Sequence, residues 1–285
     1  MISLITLQSL LTIVAILDLE IDQLDLVSAF LNGDMDTVVF LTQPEEWTIE
    51  EGFSELIKSL DRLCQVSKIW YEVLDTALQE LGFKCLMVNL AAWTSPTGTY
   101  VVAHIDDMLT AGSRTEIDAV KKHLATKFKL KDLGAAKVLV GLDIVRDRPN
   151  WRIYIDQMKY ANKVWVTYGM QNVNPCFLPI NVGEKLSKAE GALLNENKKR
   201  LYPAIVGSLG YLMNCSRPDI AFAVSRLAQF ASCPTERYMI AVRHVCRYLK
   251  ETVDTRVLIG EAKRKESAVD QEVVTYFDSS FADDP

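Results

Sequence analysis

The first 57 residues contain no lysine or arginine, although eleven aspartates and glutamates fall among them. Phosphate backbones are held mainly by those two cations, so any contact with a nucleic acid is expected from later segments. The six cysteines (Cys64, Cys85, Cys176, Cys215, Cys233 and Cys246) form no C-x-x-C pair and no Cys/His ligand spacing. No zinc site is indicated, and free thiols of an intracellular, reducing compartment are the expectation. A membrane-crossing segment is lacking too. Ile2 to Leu17 is uncharged, but it is short and carries Ser3, Thr6, Gln8, Ser9 and Thr12. No basic flank or small-x-small cleavage pattern marks it as a signal peptide. Its apolar positions Leu7, Leu10, Val14 and Leu17 fit a helix packed on a sheet. Low-complexity tracts and internal repeats are absent.

What remains is a chain of 285 residues, 49% hydrophobic, with a formal net charge of −6. It can bury the core of one large or two modest domains. Basic residues gather late, as Lys121, Lys122, Lys127, Lys129 and Lys131 and again as Arg237, Arg243, Arg247 and Lys250. The segment TYVVAHIDDMLTAGS (99–113) reads as a β-branched strand, two adjacent aspartates and a second strand, which places Asp106 and Asp107 at a hairpin turn. Two carboxylates about 4 Å apart repel by roughly 4 kcal/mol at an effective dielectric near 20, so such a pair calls for a cation or for screening water. Upstream, QLDLVSAFLNG (23–33) is a second strand-like segment carrying Asp25 and closed by Asn-Gly turn chemistry.

Helices and strands alternate through the first half. A helix is expected near 3–17, a strand around 22–26 and a short strand at 38–41. A helical stripe from Ile69 to Leu81 ends at Gly82. Ser113 with Glu116 forms a capping box that opens another helix, and Val138 to Ile144 reads as a strand. Arg148-Pro149-Asn150 then turns into an extended run from Trp151 to Ile155. After Asp156 the pattern is helical, over about 157–168, 203–214, 219–231 and 236–250, with Thr235 capping the last. The layout is α+β, an antiparallel sheet backed by helices and followed by a mainly helical part.

QLDLVSAFLNGDMD and AHIDDMLTAGS resemble the polymerase motifs of copia-type LTR retrotransposon reverse transcriptases, which read close to QMDVKTAFLNG and YVDDMLIAGS. The resemblance continues in order through WYEVLDTALQELGFK (70–84), KFKLKDLGAAKVLVGLDIVRD (127–147), YPAIVGSLGYLMNCSRPDIAFAVSRLAQFASCPT (202–235) and AVRHVCRYLKET (241–252). It implies a palm with partial fingers over 1–155, a thumb and connection over 156–260, and the start of a ribonuclease H-like domain over 261–285 carrying Asp278. It also implies RNA-directed DNA polymerisation with two Mg²⁺ ions, Mn²⁺ being the alternative, held by Asp25, Asp106 and Asp107. A backbone contact at Leu26, a sugar-facing Phe30 and Gln65 would serve the deoxynucleoside triphosphate. Arg237, Arg243, Arg247 and Lys250 would follow an RNA or DNA template–primer duplex. No membrane partner is implied, and nothing sets an oligomeric state.

The pattern departs from the family in two places. Where the family reads close to YGLKQSPRAWY, this chain has Asp61-Arg62-Leu63-Cys64-Gln65-Val66-Ser67-Lys68-Ile69-Trp70-Tyr71, so its glycine, lysine and proline become Arg62, Cys64 and Ser67. His104 stands where tyrosine is usual. The alternative reading is therefore a catalytically defective relic or a co-opted nucleic-acid-binding protein.

Overall fold

A computed structural model describes residues 2–43, 53–87, 89–181 and 192–261. The elements in order are α1 (Leu4–Ile16), β1 (Glu20–Leu26), β2 (Phe40–Thr42), β3 (Phe53–Glu55), α2 (Val66–Gln79), β4 (Lys84–Leu86), β5 (Asn89–Thr94), β6 (Tyr100–His104) and β7 (Asp107–Gly112). They continue with α3 (Arg114–Lys127), β8 (Leu130–Ala135), β9 (Val138–Leu139), β10 (Leu142–Asp147), β11 (Arg152–Asp156), α4 (Met158–Thr167), α5 (Glu196–Cys215), α6 (Ala221–Ala228), α7 (Glu236–Glu251) and β12 (Val257–Glu261). The class is α+β, a large antiparallel sheet with a helical region.

Six strands pair in the order β4-β5-β6-β7-β1-β8, all antiparallel. Because side chains alternate along a strand, the sheet feeds two cores. On one face Leu24, Leu26, Val101, Ala103 and Met108 meet Trp70, Leu74 and Leu78 of α2 and Val120 and Leu124 of α3. On the other, Ile21, Val102, Leu109 and Ala111 meet Leu7, Leu10, Leu11 and Val14 of α1 and Leu142, Ile153 and Ile155 of a second sheet. That second sheet runs β12-β11-β10-β9. A third core joins α4 to α7 around Trp165, Tyr202, Leu209, Tyr238 and Val242.

Several local expectations are revised. Leu17 is 47% exposed, and Leu11 and Ala15 complete the buried stripe of α1 instead. The strand expected at 38–41 pairs over Phe40–Thr42. The single strand expected at 138–144 is two, because Val140 (φ 51°) and Gly141 (φ 73°) turn the chain between β9 and β10. The helix expected from 203 begins at Glu196, where the Asn195 side chain accepts from Lys198 N, and Pro203 lies inside it. The helix expected over 219–231 is a 3-10 turn (Pro218–Ile220) followed by the shorter α6. Thr235 does stand at the N-cap of α7 but makes no side-chain bond to its first turn. Like β3, β4 and β5, strands β8 and β12 were not expected. Strand β8 is an exposed sheet edge with almost no apolar pattern, and β12 pairs with β11 far back in the chain. No described helix is long and apolar enough to cross a membrane.

Candidate active site

Asp25 is the penultimate residue of β1, on the face opposite α2 and α3, directly across from Asp107 on β7. Asp107 faces His104 on β6, and Asp25 faces Lys131 on β8. Directly opposed residues share a face, so four adjacent strands carry the row His104–Asp107–Asp25–Lys131. Asp106 completes the group from the turn, exposed to solvent.

That turn has two residues, Ile105 and Asp106, between paired His104 and Asp107. Ile105 sits at φ 62°, a conformation β-branched residues rarely take and one that costs on the order of 1–3 kcal/mol. Two bonds hold it there. Trp70 Nε1 of α2 donates to the Ile105 carbonyl at 2.9 Å, and Leu26 N donates to the Asp106 carbonyl at 2.8 Å. Sequence reading took Trp70 as part of a helical stripe and of the family resemblance; its bond to the turn was not anticipated.

The electrostatics are unbalanced. Burial pushes the Asp107 carboxyl above its ordinary pKa; a hydrogen bond from Gln23 opposes this, and the nearby Asp106 and Asp25 carboxylates add to it. Gln23 Nε2 stands 3.3 Å from Asp107 Oδ1. Lys131 Nζ lies 3.0 Å from Asp25 Oδ2, and Nδ1 of His104 is buried without a hydrogen-bond partner. As the side chains stand, no group of three or more His, Cys, Asp or Glu among the described residues is gathered to hold a metal ion. The donor chemistry still fits a hard divalent cation: the backbone brings three carboxyl-bearing residues to one sheet end, and Asp107 is pushed up there by burial first and by like charge second.

The remaining expected site residues fall around this end. Leu26 is buried, with its N–H spent on the turn. Phe30 lies in a short 3-10 helix (Ala29–Asn32), half-buried against the core beneath α2, and its carbonyl accepts from Gly33 N and Ser59 Oγ. Gln65 is the N-cap residue of α2 without capping it; its Nε2 reaches Thr37 Oγ1 at 3.2 Å. Arg62, at the family's glycine position, has φ 77°, which explains why glycine suits it.

The basic row on α7 is largely engaged elsewhere. Arg247 Nε donates to the Asn174 carbonyl at 2.6 Å, and Lys250 Nζ donates to Gln171 and, at 3.0 Å, to Val173. These bonds strap residues 171–174 onto the helix. Arg243 is exposed, whereas Arg237 is half-buried and has interactions of its own. Asp278 and the segment 262–285 lie outside the described residues.

The sequence model of the family described as "Reverse transcriptase (RNA-dependent DNA polymerase)" matches residues 1–182. The chain is 32% identical over 269 residues to the retrovirus-related Pol polyprotein from transposon TNT 1-94 of Nicotiana tabacum, covering 90% of the chain and 20% of that protein. The corresponding polyprotein from transposon RE1 of Arabidopsis thaliana is 30% identical over 239 residues, covering 81% of the chain and 16% of that protein. A putative transposon Ty5-1 protein of Saccharomyces cerevisiae is 28% identical over 236 residues, 80% of the chain and 76% of that protein. The chain thus spans a fifth or less of the two polyproteins.

Proposed function

Because the chain belongs to the reverse transcriptase family, on its copia-type retrotransposon side, we propose that it carries the polymerase centre of an RNA-directed DNA polymerase. The observation that supports this most is the pairing of Asp25 with Asp107 beside the Asp106 turn. Asp25, Asp106 and Asp107 would hold divalent cations, Mg²⁺ by the all-oxygen donor set, with Mn²⁺ able to substitute. When bound, such ions lower the pKa of the attacking hydroxyl and neutralise charge on the phosphates and the leaving group. The chain's own residues do the rest. The Trp70 and Leu26 bonds keep the Asp106 carboxylate presented on its strained turn. Lys131 keeps a cation at Asp25. Phe30 offers an apolar floor beneath the sugar of a deoxynucleoside triphosphate, and Gln65 positions the α2 start against the segment at Thr37.

A template–primer duplex of RNA or DNA is the macromolecular substrate. On α7 it meets Arg243 first, while Arg247 and Lys250 share their donors with the strap at 171–174. Each phosphate neutralised contributes about −0.9 to the log–log salt slope on B-DNA. The activity belongs inside the cell, where the described cysteines remain unpaired thiols.

A catalytically impaired copy is the second reading, favoured by the arginine held at φ 77° in the nucleotide loop. Primer extension on a homopolymer RNA template with the purified chain tests both. Metal-dependent extension that Asp106→Asn abolishes supports the first. Extension that survives Asp106→Asn overturns it. No extension until Arg62→Gly, Cys64→Lys and Ser67→Pro are introduced together supports the second.

A further inference from the structure

The β2–β3 ribbon is a sheet of its own, separate from the six-stranded sheet that carries the aspartates, and all six of its strand residues are exposed. Phe40 stands opposite Glu55 and Thr42 opposite Phe53, so both phenylalanines share one face. They are 60% and 73% exposed, and Val38 and Ile57 extend the apolar surface toward the ribbon's base at 67% and 75%. A phenylalanine buries about 150–250 Å² when covered, so this face is costly to leave in water. Each of the two strands also has one edge with no partner strand among the described residues.

The charge here is mostly negative. Asp34, Asp36 and Glu55 surround the ribbon, and its one described cation, Lys58, is held by Asp34 at 2.6 Å. A cavity of about 300 Å³ at the base is walled by Asp34, Asp36 and Glu55 together with Val38 and Ile57. Carboxylates around an apolar wall match the end of a lysine or arginine, whose methylene stem packs while its head is paired.

We infer that this ribbon docks a basic, alternately apolar segment of another polypeptide, laid along an open strand edge. Main-chain bonds to the edge supply register, the two phenylalanines take the apolar side chains, and the basal cavity takes a cationic one. Nucleic acid is the poorer occupant because the surrounding carboxylates repel phosphates and no free cation stands among the ribbon's described residues to offset them. The inference rests on the ribbon alone and not on the polymerase reading.

Fluorescence anisotropy of the full chain with a short labelled peptide alternating lysine and valine tests it. The comparison probes are the same peptide with glutamate for lysine, and oligo(U) and oligo(dT). The lysine peptide should bind, and binding should fall about tenfold in the double variant Phe40→Ser, Phe53→Ser and likewise in Asp36→Asn, Glu55→Gln. Both variants should melt with the wild type by circular dichroism, since every changed residue is exposed. The glutamate peptide should not bind. The inference is overturned by no binding of the lysine peptide, by binding unchanged in both variants, or by an oligonucleotide that displaces it. It is also overturned by a wild-type dimer in sedimentation that the phenylalanine variant converts to monomer, since the ribbon's occupant is then a second copy.

Discussion

Asp22 and Asp25 stand three residues apart on β1, on opposite faces, and their surroundings invert each other. Asp22 is 2% exposed and lies within reach of two cations of α3, Arg114 at 2.6 Å and Lys121 at 2.5 Å. Burial works against its charge, but the hydrogen bonds from Arg114 and Lys121 outweigh it and hold the carboxyl below its ordinary pKa. Glu20, Asp18 and Asp132 extend the network to Arg148, Arg146 and back to Lys121. At the other end Asp25 faces another carboxylate, and Asp107 is pushed up. At one end a buried carboxylate is paired with two cations; at the other, two carboxylates face each other and Lys131 pairs with Asp25.

The largest separation between the two ends is expected in catalysis. If the polymerase reading holds, Asp25→Asn should lower primer extension about 100-fold or more, since even groups outside a metal's ligand shell are worth about 10- to 100-fold. Asp22→Asn should leave the rate per folded molecule close to wild type. Equal losses would erase the distinction.

Stability should reverse the order. Asp22→Asn is expected to cost about 1–3 kcal/mol by denaturant titration, in the range of hydrogen bonds to charged groups. It should cost less than a sealed pair because Arg114 is half exposed. The sign with pH follows from the lowered pKa. The Asp22 contribution is whole above the ordinary carboxylate range and is lost as pH falls through the folded value. Asp107 runs the other way. Its ionised form is disfavoured in the fold, so its penalty is present above the folded pKa and relieved as pH falls. Asp107→Asn should therefore stabilise by about 0.2–1 kcal/mol, the scale of like charges directly opposed in a sheet, and raise the melting temperature measured by calorimetry. A drop in melting temperature would mean that the Gln23 bond outweighs burial and repulsion together.

The smallest effect is expected at Arg62. Relief of its positive φ by Arg62→Gly is offset by the added freedom of glycine in the unfolded chain, leaving a gain of about 0.5 kcal/mol. A loss would show that the arginine side chain makes up for its backbone.

The parts legible in sequence were those with a strong local signal. The aspartate hairpin was read from its β-branched run, and the Ser113 cap accepts from Glu116 N as the capping box required. The six-stranded sheet was legible only in part. Strand β8 carries Lys131 into the row opposite Asp25, yet its burial pattern offers no alternation to find. The role of Trp70 was hidden because a buried tryptophan on a helical stripe looks the same whether or not its N–H holds a turn. The engagement of Arg247 and Lys250 was hidden for a like reason. A basic helix face reads as open until the loop that lies on it is known.

Helix α1 rests on a strand that the ribosome delivers near the end of this stretch. Thr12 Oγ1 donates to the Ile259 carbonyl at 3.0 Å across 247 residues of chain, and Leu7, Leu10, Leu11 and Val14 share a core with Ile153 and Ile155, with Ile259 packed against it. At about 5–20 residues per second, α1 emerges roughly 10–50 s before β12. During that interval an uncharged apolar helix waits without its cover, exposed to chaperones and to other nascent chains. The sheet that carries the aspartates can pair earlier from nearer contacts, but the layer behind it closes only once β12 has emerged, and this stretch of chain is long-range in the order of its assembly.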